Sequence, residues 1–189
     1  MRAEIVDLLA SVKREGMQKL IKFLLSSDFF TAPASTKYHC AYEGGLALHS
    51  LNVYHVFKMN LKMFNIPFDE DSIKICGLLH DIGKVNHYKK VEKKSYYNGN
   101  TYETYEVDDS FPISHPEKSV YLIQKFITLS EEEICAIRWH MGVFDESQSN
   151  KYSMRTAFKK YPTAFLLFVS DYQATKILEE NDKTYKDIE

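Results

Sequence analysis

Residues 77–84, "GLLHDIGK", place a histidine and an aspartate side by side at the end of an apolar run. Burying a carboxylate is costly unless its charge is paired or bound to a metal. Neighbouring helical residues point about 100° apart, so His80 and Asp81 converge on one point only if the helix ends there. Gly83 follows closely and is expected to end it. The stretch therefore predicts a helix terminus at which the charge of Asp81 is either paired or held by a metal.

The composition is that of one compact globular domain. The chain has 189 residues, of which 44% are hydrophobic and 26% charged. A net charge of −2 argues against a broad basic surface for duplex nucleic acid, although a local basic patch stays open. The cysteines, Cys40, Cys76 and Cys135, are far apart and indicate free thiols in a reducing compartment. With neither a secretory signal nor an apolar run of roughly 18 residues, we expect a cytoplasmic protein without a membrane span.

Apolar residues recur at helical spacing through most of the chain, which contains no repeat and no Pro/Gly-rich linker. This pattern predicts an all-α fold. The expected helices cover 3–15, 17–30, 46–65, 72–81, 115–127, 131–141 and 163–180, with loops at 31–45 and 142–151.

Local signals indicate where several helices begin. A serine followed three residues later by glutamate forms a capping box, which satisfies free amides of the first turn. Aspartate also caps well, and proline suits the first turn because its missing amide would be unpaired there. The expected start signals are Asp71, Ser114 with Glu117, Ser130 with Glu133, and Pro162.

Residues 86–112 differ from the rest and predict one β-hairpin inserted into the α-helical domain. Tyr and Thr cluster around Asn98-Gly99, a strong hairpin signal. Basic and aromatic side chains here could grip a nucleotide by charge and stacking, but a solvated hairpin whose tyrosines pair across the strands is favoured. The hairpin joins the helix that ends at His80-Asp81 to the next helix, so it could also serve as a lid over that site. The side chains concerned are Lys89, Lys90, Lys93, Lys94, Tyr96, Tyr97, Tyr102 and Tyr105.

Four histidines and two aspartates lie on or beside apolar helical faces. Each alone is explained by a hydrogen-bonded core histidine, or by an acid paired with a neighbour such as Arg138. Together they cannot be satisfied by apolar surroundings, whereas one or two divalent metals would satisfy them. Imidazole with carboxylate suits Mn, Fe, Ni, Co or Zn better than Ca. The six residues are His49, His80, Asp81, His115, His140 and Asp171, while His39, His55 and His87 look local.

The order His49, His80-Asp81 and a distant Asp171 resembles the HD-domain metal-dependent phosphohydrolases over about residues 35–178. "LLHDIGK" is the signature of that family, and "HPEKS" and "IRWHMG" match two further histidines of members with two metals. "YHCAYEGGLALHS" resembles the segment before the first ligand in HD-domain exoribonucleases and conjugation-associated HD proteins. That subgroup often has two histidines where this chain has His39-Cys40, so substrate preference is expected to differ.

The resemblance implies an all-α HD-domain helical bundle with one inserted β-hairpin. Residues 1–189 would form one domain, with N-terminal helices at about 1–34, the HD core at 35–178 and the hairpin at about 86–112. It also implies roles for single residues, with Asp81 and Lys84 as the catalytic pair and Lys84 contacting phosphate. The first metal would be held by His49, His80, Asp81 and Asp171, and the second by His115 and His140 with Asp81 as the bridge. For Glu43, a solvated loop acid is favoured over a proton-transfer role.

The expected function is hydrolysis of a phosphate ester of a nucleotide or related small molecule (EC 3.1 class). One or two ions of Mn, Fe, Ni, Co, Zn or Mg would neutralise phosphate oxygens and lower the pKa of a coordinated water. Two alternatives stay open: a phosphodiesterase or exonuclease on short single-stranded oligonucleotides, and a non-catalytic metal-dependent nucleotide-binding regulator. The exonuclease members of that subgroup carry a separate nucleic-acid-binding β-barrel domain, and we expect none within these 189 residues, which counts against this alternative. The expected partner is a small phosphorylated substrate, and a homo-oligomer is compatible with the sequence.

Overall fold

The computed structural model describes residues 1–142 and 148–188. Within these ranges it contains eight α-helices and one antiparallel hairpin, which confirms the predicted helical fold with an inserted hairpin. Among the described residues, no helix has both the length and the apolar composition needed to cross a bilayer. The elements are α1 Arg2–Ala10, α2 Met17–Ser26, α3 Gly45–Met63, α4 Glu70–Leu79, β1 Tyr88–Lys94, β2 Thr101–Val107, α5 His115–Gln124, α6 Glu131–Arg138, α7 Gln148–Lys160 and α8 Pro162–Gln173.

Helix α3 is the central element of the core. Buried side chains lie all round it, including Leu46, Leu51, Val53 and Phe57, as expected of a helix surrounded by protein. Helices α4 and α8 pack on α3, α6 packs on α8, and α5 packs on the turn after α4. The polar residues of α3 that are buried therefore need partners inside the protein.

Several predicted helices are shorter than expected at their C-terminal ends, and the start of one was missed. Helix α1 stops at Ala10 instead of 15, because the chain must turn at Gly16, whose φ is +89°. A side chain at Gly16 would also lie 1.8 Å from the carbonyl oxygen of Phe126. The predicted loop at 142–151 is wrong from residue 148, where the polar helix α7 begins, and residues 143–147 of that loop lie outside the described range.

The cap of α4 is Asp69, so the prediction of Asp71 is wrong by two residues. The Asp69 carboxylate accepts the backbone N–H groups of Asp71 at 3.0 Å and Ser72 at 3.1 Å. Asp71 already lies inside the helix, and its own carboxylate accepts the N–H of Lys13 at 2.8 Å. Two acids close together therefore have separate tasks, one capping α4 and one holding the loop after α1.

Of the two predicted capping boxes, only the one at α6 forms. Ser130 accepts the N–H of Glu133, and Glu133 accepts the N–H of Ser130 in return. Ser114 does precede α5, but its hydroxyl donates to the Glu117 carboxylate at 2.8 Å instead of accepting an amide. The start of α8 at Pro162 is confirmed.

The hairpin forms as predicted, but its tyrosines do not pair with one another across the strands. Tyr105 lies opposite Lys90 and Tyr102 opposite Lys93. Both lysines also form ion pairs with acids of the hairpin, Lys90 with Glu103 at 2.7 Å and Lys93 with Glu106 at 2.9 Å. These pairs offset much of the positive charge that the lysines would need to bind a nucleotide. The lid role of the hairpin stays a prediction.

A partly buried ion pair ties the N-terminal region to the bundle. The guanidinium of Arg14 contacts both carboxylate oxygens of Glu133, at 2.7 and 2.8 Å, and also lies 3.2 Å from the Ser72 hydroxyl. Burial raises the pKa of the Glu133 carboxyl, but hydrogen bonding to Arg14 outweighs it and holds this pKa below its ordinary 4.5. Folding is thus favoured by the ionised acid.

Replacing Glu133 by Gln should lower the free energy of unfolding by about 2–3 kcal/mol at pH 7, because it leaves the Arg14 cation without its anion. A depressed folded pKa contributes stability above the unfolded value, near 4.3, that is lost as the pH falls through the folded pKa. Urea unfolding at pH 7 and below pH ~4 should therefore show a difference from wild type that shrinks in acid.

Glu131→Gln is the matched control, because Glu131 is exposed and pairs with Lys160 at the surface, so it should change stability little. Equal stabilities of wild type and Glu133→Gln at pH 7 would contradict the role given to the Arg14–Glu133 pair.

Candidate metal centre

The structure brings the six predicted histidines and aspartates to one point. They come from five helices or from the turns that follow them, and their imidazole and carboxylate atoms lie next to one another in the middle of the bundle. His49 lies in α3, His80 and Asp81 directly after α4, His115 at the first position of α5, His140 just after α6, and Asp171 in α8. We call this set the HD centre.

The end of α4 lets two neighbouring residues face the same point. The helix stops at Leu79, His80 keeps a helical backbone, and Asp81 leaves it with φ −105° and ψ 12° before one 3₁₀ turn at Ile82–Lys84. The predicted helix end is therefore present. Gly83 is not the residue that ends the helix, since its φ is not positive.

Gly83 instead allows α5 to approach this turn closely. A Cβ at Gly83 would lie 2.2 Å from the carbonyl oxygen of His115 and 2.9 Å from the backbone nitrogen of Ser119. The Gly83 N–H donates to the Ser119 hydroxyl at 2.9 Å. This contact fixes where His115 stands relative to Asp81.

The two oxygens of Asp81 face two separate pairs of imidazoles. Oδ1 lies 3.4 Å from Nε2 of His115 and 3.3 Å from Nε2 of His140. Oδ2 lies 3.5 Å from Nε2 of His49 and 3.6 Å from Nε2 of His80. Asp81 therefore stands between two groups of nitrogen atoms.

Asp171 joins only one of these groups. Its Oδ1 lies 3.2 Å from Nε2 of His49, and the Nε2 atoms of His49 and His80 are 3.3 Å apart. One side of Asp81 thus offers two imidazoles and a second carboxylate, and the other side offers two imidazoles.

Backbone carbonyls fix the tautomers of two histidines. Nδ1 of His80 lies 2.9 Å from the carbonyl oxygen of Gly77, and Nδ1 of His140 lies 2.7 Å from that of Ile137. A carbonyl only accepts, so each Nδ1 carries the proton and donates it. Both Nε2 lone pairs then face the centre, as ligation requires.

The donor atoms of the HD centre fit a divalent cation. Oδ1 of Asp81 and the Nε2 atoms of His115 and His140 are buried and have no hydrogen-bond partner. One unsatisfied buried group costs about 1–3 kcal/mol, so three at one point call for a shared ligand. Atoms 3.3–3.6 Å apart match donors that share an ion through bonds of about 2.0–2.2 Å. Imidazole and carboxylate together could therefore hold a divalent metal here.

Comparison with known proteins agrees with this geometry. The family model for the HD domain matches residues 46–175, more than half of the chain. The chain belongs to the HD-domain family. It is also similar to the 3'-5' exoribonuclease YhaM of Bacillus pumilus (strain SAFR-032), with 30% identity over 84 residues. The aligned region covers 43% of this chain and 26% of the exoribonuclease. No solved structure gives a significant match.

The family identification agrees with the resemblance inferred from "LLHDIGK", and the match contains all six residues of the HD centre. HD domains bind divalent metals, and the histidine and aspartate clusters of this one could hold such an ion. Because the match with the exoribonuclease covers about a quarter of that protein, its activity is not transferred to this chain by similarity alone.

Lys84 lies beside Asp81 in the HD centre. Its Nζ is 2.7 Å from Oδ2 of Asp81, and both side chains are buried. Burial raises the pKa of Asp81, but the Lys84 ammonium outweighs it and holds this pKa well below its usual range. Asp81 is thus a carboxylate throughout the neutral range, and the predicted contact of Lys84 with phosphate stays a prediction.

The histidines differ in charge although all are deeply placed. Burial lowers the pKa of His80 to about 4 and that of His115 well below its ordinary value, so both are neutral imidazoles, the form that ligates metal. Burial also lowers the pKa of His49, but the carboxylates of Glu179 and Asp171 outweigh it and raise the pKa to about 10. His49 therefore stands where the field favours positive charge.

Two residues near the HD centre were missed by the sequence analysis. The Glu179 carboxylate accepts a hydrogen bond from Nδ1 of His49 at 2.9 Å. In the sequence, nothing in the helical pattern distinguished Glu179 from the other acidic residues. His39, predicted to be local, has its ring 4.8 Å from that of His49, and its Nε2 is buried. The one sequence signal for His39 was its place in the His39-Cys40 pair, where the related subgroup often has two histidines.

The other two histidines predicted to be local do lie away from the HD centre, His55 beside Glu4 and His87 beside Asp109.

A cavity of about 420 Å³ opens beside the HD centre. His140 and Asp171 line it on the side of the centre, and Phe168, Tyr38 and Tyr172 supply aromatic walls. Its volume falls within the roughly 300–1,000 Å³ of small-molecule sites. Glu43 is exposed in the loop before α3, as expected of the solvated loop acid that the sequence analysis favoured.

Adding Mn²⁺ to metal-stripped protein should raise the thermal unfolding midpoint by about 5–10 °C when the ion is 100-fold above its Kd. Asp81→Asn should reduce this shift strongly, because the amide removes the charge shared by both groups of imidazoles. The matched control is Asp108→Asn in the exposed hairpin. A full shift in Asp81→Asn would contradict the centre as described.

Gly83→Ala should lower the free energy of unfolding by about 1–3 kcal/mol, because the added methyl group collides with the backbone of α5. It should also weaken Mn²⁺ binding, since α5 carries His115. Gly99→Ala, whose new side chain meets open space in the hairpin turn, should leave Mn²⁺ affinity unchanged. Calorimetric titration of both variants tests this, and unchanged affinity in Gly83→Ala would refute it.

Proposed function

We propose that this protein hydrolyses a phosphate ester of a nucleotide or a related small molecule, using one or two divalent ions in the HD centre. The observation that carries the proposal is the position of Asp81, whose two oxygens face two groups of imidazoles next to a cavity. In this assignment His49, His80, Asp81 and Asp171 hold the first ion, and His115 and His140 hold the second with Asp81 as the bridge.

The bound ions would supply charge neutralisation and a water of lowered pKa, the two requirements for attack on an anionic ester. The protein's own residues set the stage for that attack. Asp81 holds its charge at neutral pH, while the neutral His80 and His115 offer their lone pairs. Lys84 keeps a fixed positive charge beside Asp81, where it opposes the negative charge that develops on phosphate oxygens.

The cavity is the proposed seat of the substrate. Tyr38 and Tyr172 expose large parts of their rings at its rim, and aromatic faces stack on nucleobases. His39 stands on the wall next to His49, and burial lowers its pKa to about 4, so it is a neutral imidazole there. A base held between the tyrosines would leave its phosphate near Asp171 and His140.

The second candidate is a phosphodiesterase or exonuclease on short single-stranded oligonucleotides. It is favoured by the similarity to a protein named as a 3'-5' exoribonuclease. The hairpin adds little support to this candidate, because Lys90 and Lys93 pair with acids of the same hairpin.

We also propose that residues 1–189 form one domain with the HD core at about 35–178, since the Arg14–Glu133 pair joins the N-terminal region to α6.

The test is a substrate screen of the purified, metal-analysed protein with Mn²⁺, Co²⁺, Ni²⁺ or Mg²⁺. Nucleoside mono-, tri- and cyclic phosphates and short single-stranded RNA are the substrates, and Asp81→Asn is the inactive reference. We expect turnover of a nucleotide that falls at least 100-fold in Asp81→Asn and is unchanged in Asp108→Asn. Metal-loaded protein without turnover on any substrate would overturn the proposal and favour a metal-dependent regulator.

Salt dependence separates the two candidates. For a single-stranded nucleic acid, the logarithm of the binding constant falls linearly with the logarithm of the salt concentration, with a slope of about −0.7 for each phosphate contacted. The affinity for an oligonucleotide substrate should therefore depend steeply on salt. A mononucleotide should show a shallow dependence. Measuring KM for the best substrate between 50 and 200 mM salt, roughly the range over which such losses become large, decides which candidate holds.

A further inference from the structure

We propose that Glu179 is a positioning residue of the HD centre, which holds His49 in the tautomer and orientation that direct its Nε2 lone pair at the cation. The inference rests on the proposed metal site but not on the identity of the substrate. Glu179 lies beyond residues 46–175, which the HD-domain family model matches. The residue lies in the segment that follows α8.

The contact between Glu179 and His49 is close and buried. Nδ1 of His49 lies 2.9 Å from Oε1 and 3.2 Å from Oε2 of the carboxylate, and each side chain is only 1% exposed. A carboxylate at this depth accepts hydrogen bonds, so Nδ1 of His49 carries the proton. Nε2 is then unprotonated when a cation is bound, and it faces Asp81 and Asp171 at 3.5 and 3.2 Å.

A second hydrogen bond holds Glu179 itself. Nδ2 of Asn52 donates to Oε1 of Glu179 at 3.0 Å. Asn52 follows His49 by three residues in α3, so both side chains project from the same face of one helix. The carboxylate is therefore gripped by two donors of α3, which leaves it little freedom to turn away from the imidazole.

The orientation of the Asn52 amide is fixed from its other end. Oδ1 of Asn52 accepts the backbone N–H of Tyr185 at 2.9 Å, so the NH₂ group must face Glu179. Tyr185 is anchored in turn, because its ring stacks on that of His55 with centroids 4.1 Å apart. A continuous chain of contacts thus runs from the C-terminal segment to the histidine of the HD centre.

The geometry matches a carboxylate–histidine–metal arrangement, in which an outer carboxylate orients the ligand and raises its basicity. Losing such a partner typically weakens metal binding by about 10–100-fold. Glu179 is suited to this role instead of direct ligation, since it lies on Nδ1 of His49 while the other carboxylates lie on Nε2.

The test uses two substitutions of Glu179 in the full chain, with Mn²⁺ as the probe. Glu179→Ala removes the acceptor and should weaken Mn²⁺ binding by about 10–100-fold in calorimetric titration. Glu179→Gln keeps an oxygen that accepts from both His49 and Asn52, so its loss should be several-fold smaller than that of Glu179→Ala. Glu70→Gln is the matched control, because Glu70 is exposed and pairs with Lys58 in the C-terminal half of α3.

Nitrogen NMR of ¹⁵N-histidine-labelled protein gives a readout that a purely structural role would not move. His49 of the metal-loaded wild type should show a protonated Nδ1, and this signal should change in Glu179→Ala while His80 and His140 keep theirs. Folding of each variant is checked by circular dichroism and thermal unfolding.

Wild-type Mn²⁺ affinity in a folded Glu179→Ala protein would overturn the inference, as would a wild-type His49 that is protonated on Nε2. If Glu179→Ala does not fold, the ranking of wild type and Glu179→Gln and the NMR assignment decide it. Neither readout needs a substrate, so a failure of the proposed hydrolysis would leave this result unaffected, and a failure here would leave turnover to be measured separately.

Discussion

The buried charge of Asp81 is the constraint on which the rest of the structure depends. A carboxylate inside a helical bundle loses its hydration, and this loss must be balanced by charges or donors at short range. Lys84 offsets it on one oxygen at 2.7 Å, and four imidazoles surround both oxygens at 3.3–3.6 Å. The helices of the core are therefore arranged so that their polar positions meet at this one group.

Helix ends supply most of the convergence, and one continuous helix supplies its frame. His80, Asp81, His115 and His140 all lie at or just beyond a helix terminus, where the backbone can leave the helical direction. His49 lies within α3, which carries buried side chains all round its axis. The close contact at Gly83 then sets the distance between the end of α4 and the start of α5.

The helical fold and the six central residues could be predicted from the sequence. A polar residue at a position of the helical repeat that is otherwise apolar is expected to face the core and to need a partner there. The sequence did not reveal contacts made through irregular backbone. Glu179 follows Asp171 by eight residues, which an ideal α-helix would turn about 80° away. A π-helical turn at Ala174–Leu178 rotates less per residue and brings Glu179 back toward His49. His39 likewise reaches the centre through a loop whose Cys40 has φ +43°.

Counting the fixed charges explains why the centre suits divalent ions. Asp81, Asp171 and Glu179 bring three negative charges and Lys84 one positive charge, while His80 and His115 are neutral. The remaining two negative charges explain why His49 tends to hold a proton, and one divalent cation would balance them with His49 neutral. A second divalent ion would leave the centre positive, and an anionic phosphate is the kind of ligand that restores the balance.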